Sequence, residues 1–106
     1  MDTKDWYAGI NLMPPMPDEL HVTGEVFVSN PGVQAHLTVR EPQGSISNIL
    51  LLDLYLVQQP GMWTQNTTWA KARYDKILSP GSLKYTDVEI YFNNQTIAAL
   101  NIDIVQ

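Results

Sequence analysis

The side chains that could do chemistry in this sequence are mainly carboxylates. Asp53 lies inside a long apolar run, and loss of solvent there can raise the pKa of a carboxyl group, as a general acid requires. Near the C-terminal end, Asp87, Glu89 and Asp103 could together provide the two carboxyl groups that glycoside hydrolysis needs. Acidic residues are common on exposed strand faces, so we place a small hydrolase behind the non-catalytic functions.

The residues that usually form nucleophilic or metal sites are scarce. The chain has no cysteine, which excludes disulfides and Cys-ligated zinc, and it lacks a G-x-S-x-G motif. Only two histidines are present, His21 and His36. We therefore expect no catalytic residue, no cofactor and no metal ion, and we expect that the protein is not an enzyme.

Aromatic residues support a different kind of site. Rings close to turns, accompanied by Asn, Gln and Asp, are typical of a carbohydrate-binding sandwich, because sugars stack on rings while amides and carboxylates bind hydroxyl groups. The residues with this potential are Trp63, Trp69, Tyr85 and Tyr91. Packing of the tryptophans in the core is the simpler alternative.

Composition limits the partners. The 106 residues fit a single domain, 1–106, with a Pro-rich N-terminal segment over 1–19. A net charge of −5 with six Lys and Arg argues against nucleic acid or an anionic membrane surface. Seven Asn and seven Gln weakly favour an extracytoplasmic protein, although Met1 to Asp5 lack the features of a signal peptide and the compartment stays open.

The longest apolar run predicts the central strand. Residues 49–57 are too short for a membrane-spanning helix, which needs roughly 20 residues, and turn formers flank them. A strand would place Leu50, Leu52, Leu54 and Leu56 on one face. The opposite face would consist of Ile49, Leu51, Asp53, Tyr55 and Val57. Because this second face is also mostly apolar, we interpret it as a protein-interaction or self-association surface.

Alternation from Leu20 to Glu41 predicts a hairpin that turns at Pro31-Gly32. This register would place Val28 opposite Ala35 and Val26 opposite Leu37, with both apolar sets on one face. It would also separate His21 from His36 by about 20 Å, too far for a shared metal ion.

Two later segments complete the expected strands. Residues 68–78 suit either a short helix or a strand with Ala70, Ala72 and Tyr74 inward, and all-β surroundings favour the strand. After a turn at Ser79-Pro80-Gly81, a hairpin with a three-residue loop, Asn93-Asn94-Gln95, would place Asp87, Glu89 and Asp103 on its outer face.

These elements predict an all-β, antiparallel two-sheet sandwich of immunoglobulin-like type with six or seven strands and at most one short helix near 68–78. The expected function is a non-catalytic interaction module whose partner is another protein or a second copy of the chain. Carbohydrate binding is the alternative. We expect no binding to nucleic acid and no insertion into a membrane.

Overall fold

The computed structural model of the protein describes residues 2–12, 18–46, 48–78 and 85–105. Within these ranges the chain forms eight strands and no helix. The strands are β1 (Thr3–Asn11), β2 (Asp18–Val28), β3 (Val33–Val39), β4 (Ile49–Gln58), β5 (Thr68–Leu78), β6 (Asp87–Phe92), β7 (Gln95–Asn101) and β8 (Asp103–Val105). The prolines of 13–17 and the expected turn at Ser79-Pro80-Gly81 lie outside the described residues.

The strands form two four-stranded sheets in a sandwich-like arrangement. Sheet A has the order β5-β2-β1-β8, and sheet B has the order β3-β4-β6-β7. The two-sheet prediction is confirmed, but the expectation of purely antiparallel sheets is wrong, because β1 pairs with β8 and β4 with β6 in parallel. The chain runs from β4 through β5 in the other sheet before it returns as β6. It therefore enters sheet B twice in the same direction.

The core lies between the sheets and is centred on β2 and β4. Leu50, Leu52 and Leu54 of β4 are at most 2% exposed, as their alternation predicted. Leu20, Val22 and Val26 of β2 have no exposed surface and belong to the same hydrophobic cluster. Each such side chain contributes roughly 1.5–3 kcal/mol by leaving water, so these two strands supply much of the stabilising energy.

The predicted hairpin of residues 20–41 is wrong. β2 pairs with β1 and β5 in sheet A, whereas β3 pairs with β4 in sheet B. The connection is a corner between sheets, where the Asn30 side chain accepts a hydrogen bond from the Gly32 amide at 2.9 Å and exchanges two more with Gln58. Alternation of apolar and polar residues identifies the side chains that face the core. It does not show whether two such strands are paired in one sheet or lie in opposite sheets, because the alternation is the same in both cases.

A bulge in β1 brings Trp6 against the core. Asp5 and Trp6 together oppose Gly24, since Lys4 pairs with Glu25 and Tyr7 with Thr23. Asp5 has a φ of 55°, which turns the chain locally. A Cβ atom at Gly24 would overlap the Trp6 ring, so glycine is needed there for the indole to fit.

Residues 68–78 form a strand, not a helix. β5 pairs with β2 without interruption from Thr68 to Leu78. Ala72 is buried, Tyr74 is half-buried, and Lys71 and Arg73 are exposed, as expected for the strand.

The last hairpin exists, but its predicted loop is one residue too long. Only Asn93 and Asn94 form the turn, with φ values of 50° and 63°, and Gln95 already pairs with Phe92. A two-residue loop alone would place the apolar residues of the two strands on opposite faces of the sheet. Ile90 pairs with Ala98 and Tyr91 pairs with Thr96, so Ile97 is an extra residue that forms a bulge in β7. This bulge turns the apolar residues of β7 back toward the core.

Buried and exposed positions of β4 should respond very differently to truncation. We expect Leu52→Ala to lower the free energy of unfolding by about 2–5 kcal/mol, because it leaves a cavity in the centre of the core. Val57→Ala on the opposite face is the matched control and should change it by less than about 0.5 kcal/mol. Urea denaturation measures both values. Equal losses would mean that both faces of β4 are covered.

Candidate functional site

The outer row of β4 divides into a covered half and an open half. Ile49 and Leu51 are half-buried, whereas Tyr55 is 53% and Val57 is 42% exposed. Asp53 lies between the two halves. The predicted five-residue surface is therefore accessible mainly at Tyr55 and Val57, which we call the Tyr55–Val57 patch.

The segment that follows β3 covers the first half of the row. The Gln43 side chain donates to the carbonyls of Arg40 and Leu51 at 2.6 and 2.9 Å, and it accepts from the Leu51 amide at 2.8 Å. It thereby extends the hydrogen bonding of β3 along β4. Gly44 lies close to the Leu51 side chain. Sequence patterns could not predict that this half of the row is covered, because the cover depends on the Gln43 side chain forming the hydrogen bonds that a strand backbone would form.

Asp53 forms an ion pair at the centre of the row. Its carboxylate lies 2.7 Å from Nη1 of Arg40, and both side chains are about three-quarters buried, with 22% and 25% exposed. Nη2 of Arg40 donates to the side-chain oxygen of Asn94 at 2.8 Å, and the guanidinium carbon lies 4.6 Å from the centre of the Tyr91 ring. Tyr91 in turn donates to Glu89 at 2.7 Å, and this hydrogen bond raises the pKa of Tyr91.

This network fixes the surroundings of the patch. Arg40 connects the end of β3 with β4, β6 and the Asn93-Asn94 turn through three separate contacts. The sequence singled out Asp53 but missed Arg40. The available signal was that Arg40 continues the outward alternation of β3, although its contact with Asp53 depends on the pairing of β3 with β4.

The three carboxylates proposed for hydrolysis do not share one face. Asp87 and Glu89 lie on β6 in sheet B, but Asp103 lies on β8 in sheet A. Between Asn101 and Asp103 the chain crosses sheets at Ile102, whose amide donates to the Thr86 carbonyl at 2.9 Å. The expectation that Asp103 lies on the last hairpin with Asp87 and Glu89 is therefore wrong, because the alternation of the sequence continues while the chain changes sheets.

The four rings considered for carbohydrate stacking are distributed over both sheets and the connecting segments. Trp63 packs against Gly32 and donates to the Gln59 carbonyl at 2.9 Å. Trp69 contacts Phe27 on sheet A, with Lys4 Nζ 4.3 Å from the centre of its ring. Tyr85 and Tyr91 have Lys76 and Arg40 over their rings. Cations thus occupy one face of three of the rings.

Arg73 and Lys71 of β5 have acidic neighbours within sheet A. Arg73 Nε donates to Asp75 at 2.7 Å, and Asp75 also contacts Nδ1 of His21, whose Nε2 lies 3.3 Å from Glu19. Lys71 pairs across the strands with Glu25. Hydrogen bonds from Arg73 and then from His21 lower the pKa of Asp75 below its ordinary value of 3.8. This face of sheet A therefore carries positive and negative side chains side by side.

The two histidines belong to different sheets. His21 lies on β2 in sheet A, and His36 lies on β3 in sheet B, where it contacts Gln34 at 3.3 Å. Among the described residues, no group of three or more His, Asp or Glu side chains could hold a metal ion. In the same residues, no helix is long and apolar enough to cross a membrane.

A groove of about 400 Å³ adjoins the patch. β6 accompanies β4 only from Ile49 to Asp53, so β4 extends past the end of β6 to Gln58. The groove is lined by Asp53, Leu54, Tyr55, Leu56, Phe92, Asn93 and Asn94.

Comparison of the chain with protein-family models, curated proteins and solved structures gave no match.

The Arg73–Asp75 pair allows a direct test of the electrostatics. We expect Arg73→Gln to move the pKa of Asp75 upward toward 3.8, since the largest cause of its depression is removed. Lys71→Gln, the control on the same strand, should leave the pKa of Asp75 unchanged. NMR titration of the Asp75 carboxyl carbon measures both.

The same pair predicts a pH dependence of stability. A carboxylate whose pKa is lower in the folded state stabilises the fold above its unfolded pKa, and this contribution disappears as the pH falls through the folded value. The stability difference between wild type and Arg73→Gln should therefore be largest near neutral pH and should close in acid. A difference that persists in acid would contradict this origin.

Proposed function

We propose that the protein is a non-catalytic binding module that contacts another protein through the outer face of sheet B. The observation that carries this proposal is the Tyr55–Val57 patch, two large apolar side chains, both more than 40% exposed, on a central strand. Tyrosine is common at the centre of protein interfaces because its ring buries a large area while its hydroxyl remains hydrogen-bonded.

The surroundings of the patch resemble the organisation of known interfaces. An apolar centre bordered by polar side chains is typical of protein contacts. Here the border includes the ion pair between Arg40, which follows β3, and Asp53 of β4, together with His36, which lies opposite Tyr55 on β3. Because Arg40 is held by three contacts, this border is organised before a partner binds, and less conformational freedom is lost on association.

The groove beside β4 offers backbone hydrogen bonds to the same partner. Leu51 accepts from Arg40 on the β3 side, and Gln59 donates to Gly32 on that side, so odd-numbered residues direct their backbone groups toward β3. By alternation, the amide and carbonyl of Leu56 point toward the groove. A partner at the patch could therefore gain main-chain contacts as well as side-chain contacts.

Two broader expectations belong to this proposal. A non-catalytic role is supported by the position of His21 and His36 on different sheets, where they cannot act as one acid–base pair. An immunoglobulin-like type of sandwich is supported by two four-stranded sheets around one core, and it remains a prediction.

Site-specific photo-cross-linking tests the binding surface. The probe benzoylphenylalanine replaces Tyr55 or Val57 in protein made in its native cells, and it replaces Tyr7 of sheet A, which is 44% exposed, as the control. We expect a discrete adduct from positions 55 and 57 but not from position 7. Val57→Asp in the chain that carries the probe at position 55 should abolish that adduct.

The adduct mass and a glycan panel separate the alternatives. An adduct of twice the chain mass would identify a second copy as the protein bound at the patch. Equal adducts from Tyr7, or none from the patch, would contradict the proposal. Glycan binding that is lost in Trp63→Ala and retained in Val57→Asp would favour the carbohydrate function instead.

A further inference from the structure

β5 presents a long strand edge on sheet A. It is the outermost strand in the order β5-β2-β1-β8, and it spans 11 residues, all paired with β2 on one side. No strand of the described residues pairs with its other side. Such an edge carries backbone donors and acceptors suited to another strand, and natural proteins usually protect it with charges.

Alternation determines which residues direct their backbone groups outward. The Phe27 amide donates to the Asp2 carbonyl, so odd-numbered residues of β2 bond toward β1 and even-numbered residues toward β5. The unbroken register places even-numbered residues of β5 against those of β2. The outward groups of β5 therefore belong to Trp69, Lys71, Arg73, Asp75 and Ile77.

The charges at these positions are self-complementary. We propose that the protein forms a symmetric dimer in which β5 strands from two copies pair antiparallel, with Tyr74 on the two-fold axis. Arg73 then lies opposite Asp75 of the second copy, and the symmetry forms this pair twice. Lys71 lies opposite Ile77, whose 64% exposed side chain its aliphatic stem can cover.

Neighbouring registers are less favourable. Antiparallel pairing centred on Arg73 or Asp75 would place two identical charges opposite each other at the axis. Pairing centred on Ala72 would place Lys71 opposite Arg73 of the second copy, again twice. Like charges directly opposite each other destabilise a strand pair. Charged residues usually keep an edge strand from pairing, but here their order favours one pairing, the register centred on Tyr74.

The side chains are already arranged for this contact. Arg73 is held by Asp75 at 2.7 Å, and Asp75 also contacts His21. Two such pairs side by side give four alternating charges, a network that stabilises more than isolated surface pairs do. At the axis, the half-buried Tyr74 rings would meet as a close cross-strand aromatic pair.

Charge exchange tests both the dimer and its register. Sedimentation velocity over concentrations up to about 1 mM would compare wild type, Arg73→Asp, Asp75→Arg, the exchanged double variant and an equimolar mixture of the two single variants. We expect wild type to dimerise and each single variant to weaken dimerisation at least ~10-fold, because two like-charge pairs replace two attractive ones.

The mixture and the double variant should restore the dimer. In the mixture, one chain carries two acids and the other two arginines, so every pair across the axis is again opposite in charge. Lys71→Pro removes an outward amide and should give a folded monomer, since proline is tolerated on an edge. Circular dichroism confirms folding of each variant, and Lys71→Pro keeps the test decisive if a single variant does not fold.

Three results would overturn the proposal. These are a wild-type monomer throughout the concentration range, single variants that dimerise as wild type does, and a mixture that stays monomeric. Tyr55→Asp should leave the dimer unchanged, because Tyr55 lies on the other sheet. The dimer and the proposed binding function can therefore fail independently.

Discussion

The hydrophobic core that the inward side chains of β2 and β4 share is the constraint on which the rest of the structure depends. Both strands are central in their sheets, and their inward residues are almost completely buried. Because side chains alternate along a strand, burial of Leu50, Leu52 and Leu54 requires Tyr55 and Val57 to face outward. The same alternation fixes the direction of each backbone group. The exposed patch on sheet B is thus a consequence of how the core is filled.

Two bulges keep the strands in phase with this core. At Asp5 and Trp6 the extra residue turns an indole inward over Gly24, and at Ile97 it returns β7 to the phase of β6 after a two-residue turn. Without the second bulge, Ala98 and Leu100 would face solvent. The bulges in this fold therefore allow the apolar residues of the neighbouring strand segments to be buried.

The sequence predicted which face of a strand is buried, but it did not predict which strands pair with each other. It predicted the inward row of β4, the strand character of 68–78 and the existence of the last hairpin, because alternation and turn residues are local signals. It failed for residues 20–41 because Val26 and Leu37 meet the same core from opposite sheets. It failed for Asp103 because the alternation passes through Ile102 without a break while the chain changes sheets.

The charged residues show the same limitation at the level of function. Asp53 is the only charged residue of its apolar run, and Lys71, Arg73 and Lys76 lie close together in the sequence. In the fold, Arg40 pairs with Asp53, Asp75 pairs with Arg73, and Glu25 lies opposite Lys71 on the neighbouring strand. Charge along a sequence is therefore a poor guide to charge on a sheet, where each residue has neighbours from other strands.

The two proposed surfaces lie on different sheets, and this arrangement has a consequence for affinity. A dimer joined through β5 would extend sheet A and leave sheet B of each copy uncovered, so one particle would present two Tyr55–Val57 patches. When both patches reach sites on one assembly, the second contact forms at a high effective concentration. A patch of two apolar residues, too small to bind tightly alone, would then suffice for stable attachment.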